Sequence, residues 1–403
     1  MKFSLFDIMH WPGGTNPTDF DPQRAAEVYD SRMQEYIRAE QLGFDSVFFG
    51  EHHFTAYSIT PSPNLLIAAL SQRTSRIRIG VMINVVPFHD PLRLAEEGAM
   101  LDLLTHGRLE FGIGRGVDEQ EFLRHNMPYP EARPRFEEGL ELILKAWQQP
   151  EFEFDGKFRK VGRATIWPRP LQKPHPPIWV TALSPDTIVW AARNGYPMAS
   201  AFLPPKISKQ RFDLYRKTAV EAGHTVGSQH IVQMRNVFVA ETDEEARKLA
   251  EGPLNHLFRL FIPHAVPKDL DALPEDYAYY KEFFRPFVGA AMTYEDILNN
   301  GILIAGSPKT VTRQLTEQIE ETGAGHFLCW MNFGDLSQQQ VLRSEELFAT
   351  QVMPKLRELG QPPKAAVPGQ LAGGTSSVPT ESSEESEVVD LHGVGCTAAD
   401  AAS

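Results

Sequence analysis

A glutamate and two histidines directly follow a short apolar run near the start of the chain. The run is residues 44–49, and the side chains are Glu51, His52 and His53. Both residue types can bind zinc, but zinc needs three or four convergent ligands. Neighbouring residues on a strand point to opposite faces, so only one histidine can enter a given pocket. We therefore predict one histidine as a general acid or base and no metal; two structural histidines are the alternative.

Positive charge and unpaired backbone amides are predicted at two later strand ends. GIGRG, residues 112–116, supplies Arg115 and glycines that let a ligand approach the backbone closely. Ser184 precedes a proline-led helix whose free N–H groups suit an anion, and Thr187 and Arg133 can add donors. The pattern predicts a phosphate site at the far end of the histidine's pocket. A dinucleotide loop, an ordinary helix cap and solvated arginines are the alternatives.

These residues follow short β-rich runs that alternate with amphipathic helical patterns. Nearly continuous apolar runs are typical of strands buried on both faces. The eight runs are residues 2–9, 46–49, 77–86, 109–113, 178–182, 198–202, 231–240 and 327–332. Eight β-then-α units predict a (β/α)₈ TIM barrel with insertions, in which active sites lie at the C-terminal ends of the strands. A doubly wound open sheet is the alternative.

Two insertions and a tail stand apart from this repeat. Residues 152–173 are predicted to form a hairpin before the fifth strand. Residues 261–301 are a long insertion between the seventh and eighth strands, either a lid or packing on the outside of the barrel. We predict a barrel domain over residues 1–358 and a disordered acidic tail over residues 359–403, where Pro, Gly, Ala, Ser and Glu dominate.

Charge and composition argue against several classes of partner. The chain has 403 residues and a formal net charge of −13, so we expect neither nucleic acid nor a membrane surface as a partner. No run approaches the roughly 20 apolar residues of a spanning helix. The two cysteines lie far apart, which is typical of a reducing compartment. We therefore expect a cytoplasmic protein.

Longer stretches resemble the bacterial luciferase-like flavin-dependent monooxygenases, most closely the luciferase catalytic subunit and alkanal-type enzymes. The motifs that carry the resemblance are GFDSVFFGEHHF, RIGVMINVVPFHDPLRLAEE, LDLLTHGRLEFGIGRG, PIWVTALSPDTIVWAARNGYPM and AGSPKTVTRQL. Their order and spacing match over nearly the whole chain except the tail. The resemblance implies a two-component monooxygenase, in which a separate flavin reductase supplies reduced FMN and O₂ oxidises an aldehyde, an aromatic compound or another small molecule.

The resemblance also implies roles for particular residues. His52 matches the family's catalytic histidine beside the flavin. Arg115, Arg133, Ser184 and Thr187 match residues around the FMN phosphate.

Four further positions are implied to contact FMN. Met82 and Ile83 match a strand-end pair that is often joined by a cis peptide bond under the flavin ring. Gly114 stands where the luciferase catalytic subunit has a reactive cysteine, and Leu183 stands where it has an acidic residue. Because of these two departures, we expect oxidation of another substrate rather than light emission.

The resemblance further implies a homodimer that forms through the helices at residues 64–73 and 92–104. Ala95, Gly98 and Ala99 would allow close packing, either on a second copy or on the chain's own barrel. Two alternative functions share the fold. One is a deazaflavin-dependent oxidoreductase, and the other is a non-catalytic partner subunit that has lost its flavin site.

Overall fold

The computed structural model describes residues 1–266, 269–271, 279, 281 and 293–359. The strands are β1 (Lys2–Asp7), β2 (Ser46–Phe49), β3 (Arg78–Val85), β4 (Leu109–Gly114), β5 (Phe152–Asp155), β6 (Lys160–Ala164), β7 (Ile178–Thr181), β8 (Met198–Ser200), β9 (Ile231–Val239), β10 (Leu303–Gly306) and β11 (His326–Trp330). The helices are α1 (Pro22–Leu42), α2 (Pro63–Ser71), α3 (Pro91–Leu104), α4 (Glu119–Arg124), α5 (Ala132–Gln148), α6 (Pro185–Arg193), α7 (Pro205–Glu221), α8 (Asp243–Ala265), α9 (Tyr294–Asn299), α10 (Pro308–Thr322), α11 (Gln338–Leu347) and α12 (Met353–Leu359). None of the described helices is long and apolar enough to cross a membrane.

Eight parallel strands of the described chain close into a barrel. Their order is β1-β2-β3-β4-β7-β8-β9-β11, and β11 returns to β1 with Phe327 opposite Phe3. The ring of strands is completed by the pairing of β8 with β9, in which Ala199 lies opposite Val232. The predicted TIM barrel is confirmed, and the closure excludes the open sheet. Each predicted run matches its strand to within two residues at both ends.

The additions to the barrel were predicted only in part. The predicted hairpin is confirmed, since β5 and β6 pair in antiparallel fashion. Strand β10 was not predicted. It pairs with the second half of β9, with Ile304 opposite Val237, because β9 runs on beyond its pairing with β8 and β11. Most of the predicted insertion at 261–301, and the predicted tail from residue 360 onward, lie outside the described residues.

Inward-pointing side chains fill the N-terminal half of the barrel. On β7, Ile178 and Val180 pack outward beneath the helices, whereas Trp179 joins the inner cluster. The Trp179 indole donates to Glu110 Oε2 at 2.7 Å, and Glu110 also pairs with Arg78. These contacts occupy the N-terminal half of the barrel, so the open volume lies at the C-terminal ends of the strands.

Candidate active site

Two adjoining cavities lie at the C-terminal ends of the barrel strands. The main cavity, of about 180 Å³, is lined by His52 and by mostly apolar side chains. The side cavity, of about 90 Å³, is lined by Arg115, Arg133 and Thr187 among others. The residues that border both are Ile83, Gly116, Val117, Thr181 and Leu183. One elongated ligand with an apolar body and an anionic end can therefore extend through both cavities.

His52 lines the main cavity and is held by an acid from another part of the chain. Its Nδ1 lies 3.1 Å from Glu121 Oε1, an oxygen that also accepts from the backbone N–H of His53 at 2.8 Å. The Tyr57 ring packs edge-on against the imidazole at a centroid distance of 5.1 Å. The Glu121 contact leaves Nε2 to the cavity, since no described residue hydrogen-bonds to it.

Glu51 and His53 form a hydrogen-bonded group at the same strand end, where Glu51 also lines the main cavity and His53 does not. The Glu51 carboxylate accepts from Val85 N at 2.9 Å and lies 3.0 Å from His53 Nε2 and 2.9 Å from His89 Nε2. Burial alone would raise the pKa of Glu51, but the bonds from the two histidines outweigh it and lower the pKa to about 2. As alternation predicts, only His52 of the two histidines lines the cavity, and His53 holds Glu51, which ties the ends of β2 and β3 together through Val85 N.

Charge around His52 favours its protonated form. Burial would lower the pKa of His52, but the charge of Glu121 and its hydrogen bond outweigh burial, so that the pKa is raised. Asp118 also lines the main cavity, and burial followed by repulsion from Glu121 raises its pKa to about 6. The site thus combines a histidine and a carboxyl group, His52 and Asp118, whose pKa values are both raised.

Replacing Glu121 with glutamine is expected to lower the pKa of His52, because the largest favourable charge is removed. The His52–Glu121 pair stabilises the folded state fully below the ordinary histidine pKa of about 6.5, and this stabilisation is lost as the pH rises through the raised pKa. The variant should therefore lose about 1 kcal/mol at pH 6 and little at high pH. NMR titration of the imidazole and urea unfolding at both pH values measure this. An unchanged imidazole pKa would contradict the pairing.

The predicted phosphate residues come together from three elements. Arg115 is buried directly after β4, and Arg133 lies in the first turn of α5, where its Nη1 is 3.6 Å from Glu137 Oε1. Thr187 lies in the first turn of α6 and lines the side cavity. Ser184 caps α6, accepting from Thr187 N at 3.4 Å, and does not line either cavity. Ser184 is thus an N-cap, the alternative given for it, whereas Arg115, Arg133 and Thr187 line the same cavity, and their role at a phosphate stays a prediction.

The remaining predicted residues lie where the two cavities meet. The Met82–Ile83 peptide bond is cis, as the resemblance implied. Leu183 borders both cavities. A Cβ on Gly114 would lie 1.9 Å from Ile83 Cδ1, so the cysteine found at this position in the luciferase catalytic subunit would collide with Ile83 here. Glycine at 114 thus leaves room for the Ile83 side chain.

Sequence reasoning missed three residues of the main cavity, namely Tyr57, Asp118 and Glu121. The segment after GIGRG was not predicted as a helix, yet it forms α4, with Asp118 as its N-cap and Glu121 on its buried face. Two acids three residues apart, directly after a barrel strand, were the available signal. Within the described ranges no three His, Cys, Asp or Glu side chains converge as a metal site.

Comparison with known proteins defines the class. The luciferase-like monooxygenase family matches residues 1–326. The chain therefore belongs to this family, and the predicted resemblance is confirmed.

Individual relatives refine the comparison. The oxygenase component of the flavin-dependent trigonelline monooxygenase of Acinetobacter baylyi is 31% identical over 266 residues, which is 65% of this chain and 71% of that protein. The alkanal monooxygenase alpha chain of Photobacterium leiognathi is 27% identical over 84% of this chain and 98% of its own length. The oxygenating constituent of 3,6-diketocamphane monooxygenase from Pseudomonas putida, solved with FMN, has a TM-score of 0.74 and 25% identity over 88% of this chain and 98% of that one.

Proposed function

We propose that the protein is the oxygenase of a two-component system that uses reduced FMN, supplied by a separate flavin reductase, and O₂ to oxidise a small organic substrate. The main support is the pair of adjoining cavities, with two arginines at one end and the His52–Glu121 pair at the other. The related trigonelline enzyme is likewise an oxygenase component.

The residues present fit FMN. Arg115, Arg133 and the start of α6 supply positive charge and N–H donors for its phosphate. Ile83 and Leu183 border the junction, where the apolar ring would leave the side cavity and enter the main one. Gly114 keeps the space beside Ile83 free of a side chain.

FMN and the residues of the main cavity have separate roles in the proposed reaction. Reduced FMN, when bound, would supply the two electrons and two protons with which one oxygen atom of O₂ becomes water while the other enters the substrate. His52 Nε2 takes up or gives a proton in the main cavity, while Glu121 fixes the ring through Nδ1. The apolar walls keep water away from the reacting groups.

Oxygen consumption tests the proposal directly. The purified chain is combined with a flavin reductase, NADH and FMN, and substrate-dependent O₂ uptake and oxygenated product are measured across aldehydes, ketones, aromatic compounds and amines. Reactions without the chain correct for the direct reaction of reduced FMN with O₂. A parallel series with a reduced deazaflavin tests the oxidoreductase alternative. Failure to bind any flavin would instead favour the non-catalytic subunit.

A homodimer through α2 and α3 is part of the proposal. Leu65, Met100, Leu103 and Leu104 are exposed apolar side chains on these helices. The small residues of α3 do not contribute, because a Cβ on Gly98 would lie 2.7 Å from the Trp147 ring of the same chain. Of the two packings expected for these residues, the structure therefore shows the one on the chain's own barrel.

The double substitution Leu65→Glu, Met100→Glu is expected to halve the molar mass in solution, because charges at the centre of an apolar interface oppose association. Light scattering measures the mass against the 45.3 kDa of one chain. The same substitutions at the exposed apolar residues Leu123 and Val220 are the control. A wild-type mass of one chain would contradict the proposed dimer.

A further inference from the structure

Asp118 is a buried carboxyl group that has no counter-ion among the described residues. It is 6% exposed, lines the main cavity and caps α4 by accepting from the backbone N–H of Gln120 at 2.8 Å. In the part of the chain that the structure describes, no Lys, Arg or His nitrogen lies within ion-pair distance of it. A buried carboxylate is costly unless something neutralises it. The cavity is the remaining place from which a positive charge can reach Asp118.

The groups around Asp118 do not supply that charge. Those that act on it are Glu121, which repels its charge, and His52, which is already paired with Glu121 at 3.1 Å. Tyr57 lines the same wall, and its pKa is raised by burial and by the two acids, so it stays neutral. Even when His52 is protonated, its Nδ1 is paired with Glu121 rather than with Asp118. None of the described residues lining the main cavity is a lysine or an arginine.

Aromatic side chains also line the main cavity. Phe6, Tyr57, Phe202, Phe261 and Trp330 line it, and the Tyr57 and Phe202 rings lie 5.2 and 5.6 Å from Phe261. Aromatic faces attract cations through their quadrupoles and exclude water from an apolar body. A substrate with a carboxylate group would be repelled by the acidic side chains and by the negative faces of the aromatic rings.

We propose that the substrate of the main cavity is a compact apolar or aromatic compound carrying a cationic nitrogen, which Asp118 binds. The inference rests on the proposed function for the identity of the cavity and adds the class of substrate. Asp118 then acts as the residue that selects for charge, while His52 and Glu121 remain the proton-transfer pair.

Three probes with the same ring test the selection, namely benzylammonium, benzyl alcohol and benzoate. Titration calorimetry with the full chain, with and without saturating oxidised FMN, measures their affinities. Benzylammonium is expected to bind at least about tenfold more tightly than benzyl alcohol, and benzoate most weakly. Its affinity should fall as the pH drops through about 6, because Asp118 then takes up a proton.

The variant Asp118→Asn should lose at least about tenfold in affinity for benzylammonium and change by less than about twofold for benzyl alcohol. Asparagine is also a good N-cap, so α4 should persist. Glu119→Gln removes a charge from the neighbouring residue, which does not line the cavity, and should leave all three affinities unchanged.

The outcomes separate this inference from the proposed function. Equal binding of benzoate and benzylammonium, no binding of benzylammonium, or a cation preference that survives Asp118→Asn overturns the inference even if FMN binds normally. Loss of FMN binding in Asp118→Asn, with the probes unaffected, assigns the residue to the cofactor and also overturns it. A wild-type chain that binds no flavin defeats the proposed function, while the titration without FMN still tests Asp118.

Discussion

Alanine in place of His52 is expected to lower turnover by about 10²-fold or more, which is the usual contribution of a general acid or base. The affinity for FMN should change little, because the predicted phosphate contacts lie in the side cavity. Turnover should depend on His52 because Glu121 occupies its Nδ1 and leaves Nε2 as the basic atom that faces the main cavity. Steady-state product formation with the reductase system, together with FMN titration, measures both quantities.

His53→Ala is the matched control for this prediction. It removes the same side chain one residue away, from a histidine that bonds to Glu51 and does not line the cavity. We expect lower thermal stability and a loss of turnover of less than about tenfold, since only a contact that ties strand ends is removed. Full activity in His52→Ala, or equal losses in both variants, would refute the role of His52.

Alanine in place of Arg115 should weaken FMN binding by about tenfold to a hundredfold, as expected for a charge-assisted contact to phosphate. Arg115 is 8% exposed and lines the side cavity, so little water competes with a bound phosphate. Fluorescence titration compares FMN with riboflavin, which has the same ring but no phosphate. Riboflavin affinity should stay within about twofold if the arginine acts on the phosphate alone.

Arg124→Ala, at an exposed arginine of α4 that bonds only to the Gln120 carbonyl among the described residues, controls for net charge. It should bind FMN as the wild type does. Equal weakening of FMN and riboflavin in Arg115→Ala would indicate a structural role. Unchanged FMN affinity would place the phosphate elsewhere.

The sequence predicted the barrel well because its strands carry a strong local signal. Runs such as residues 327–332 are apolar except for the last residue, and strands buried on both faces require this pattern. Strand β10 was not predicted because its four residues pair with the part of β9 beyond the barrel, and no local sequence pattern indicates this contact. Helix α4 was not predicted because its six residues are too few to show the helical periodicity of apolar residues.

The residues of the candidate site were likewise predicted only in part. The order of strand ends, together with the alternation of side chains, determined that one histidine enters the pocket and that the arginines lie at its other end. The resemblance selected His52. Neither argument could identify Glu121 or Asp118 as its neighbours, because these acids lie 69 and 66 positions further along the chain.

The sequence by itself thus determined the barrel, the family and the positions of His52, Arg115 and Arg133, since each depends on local patterns or on motifs in a set order. Only the tertiary structure decided which acid holds His52, that Ala95 and its small neighbours face the chain's own α5, and that Asp118 has no counter-ion among the described residues. Distances between remote segments, and the charges they bring together, arise only when the barrel closes.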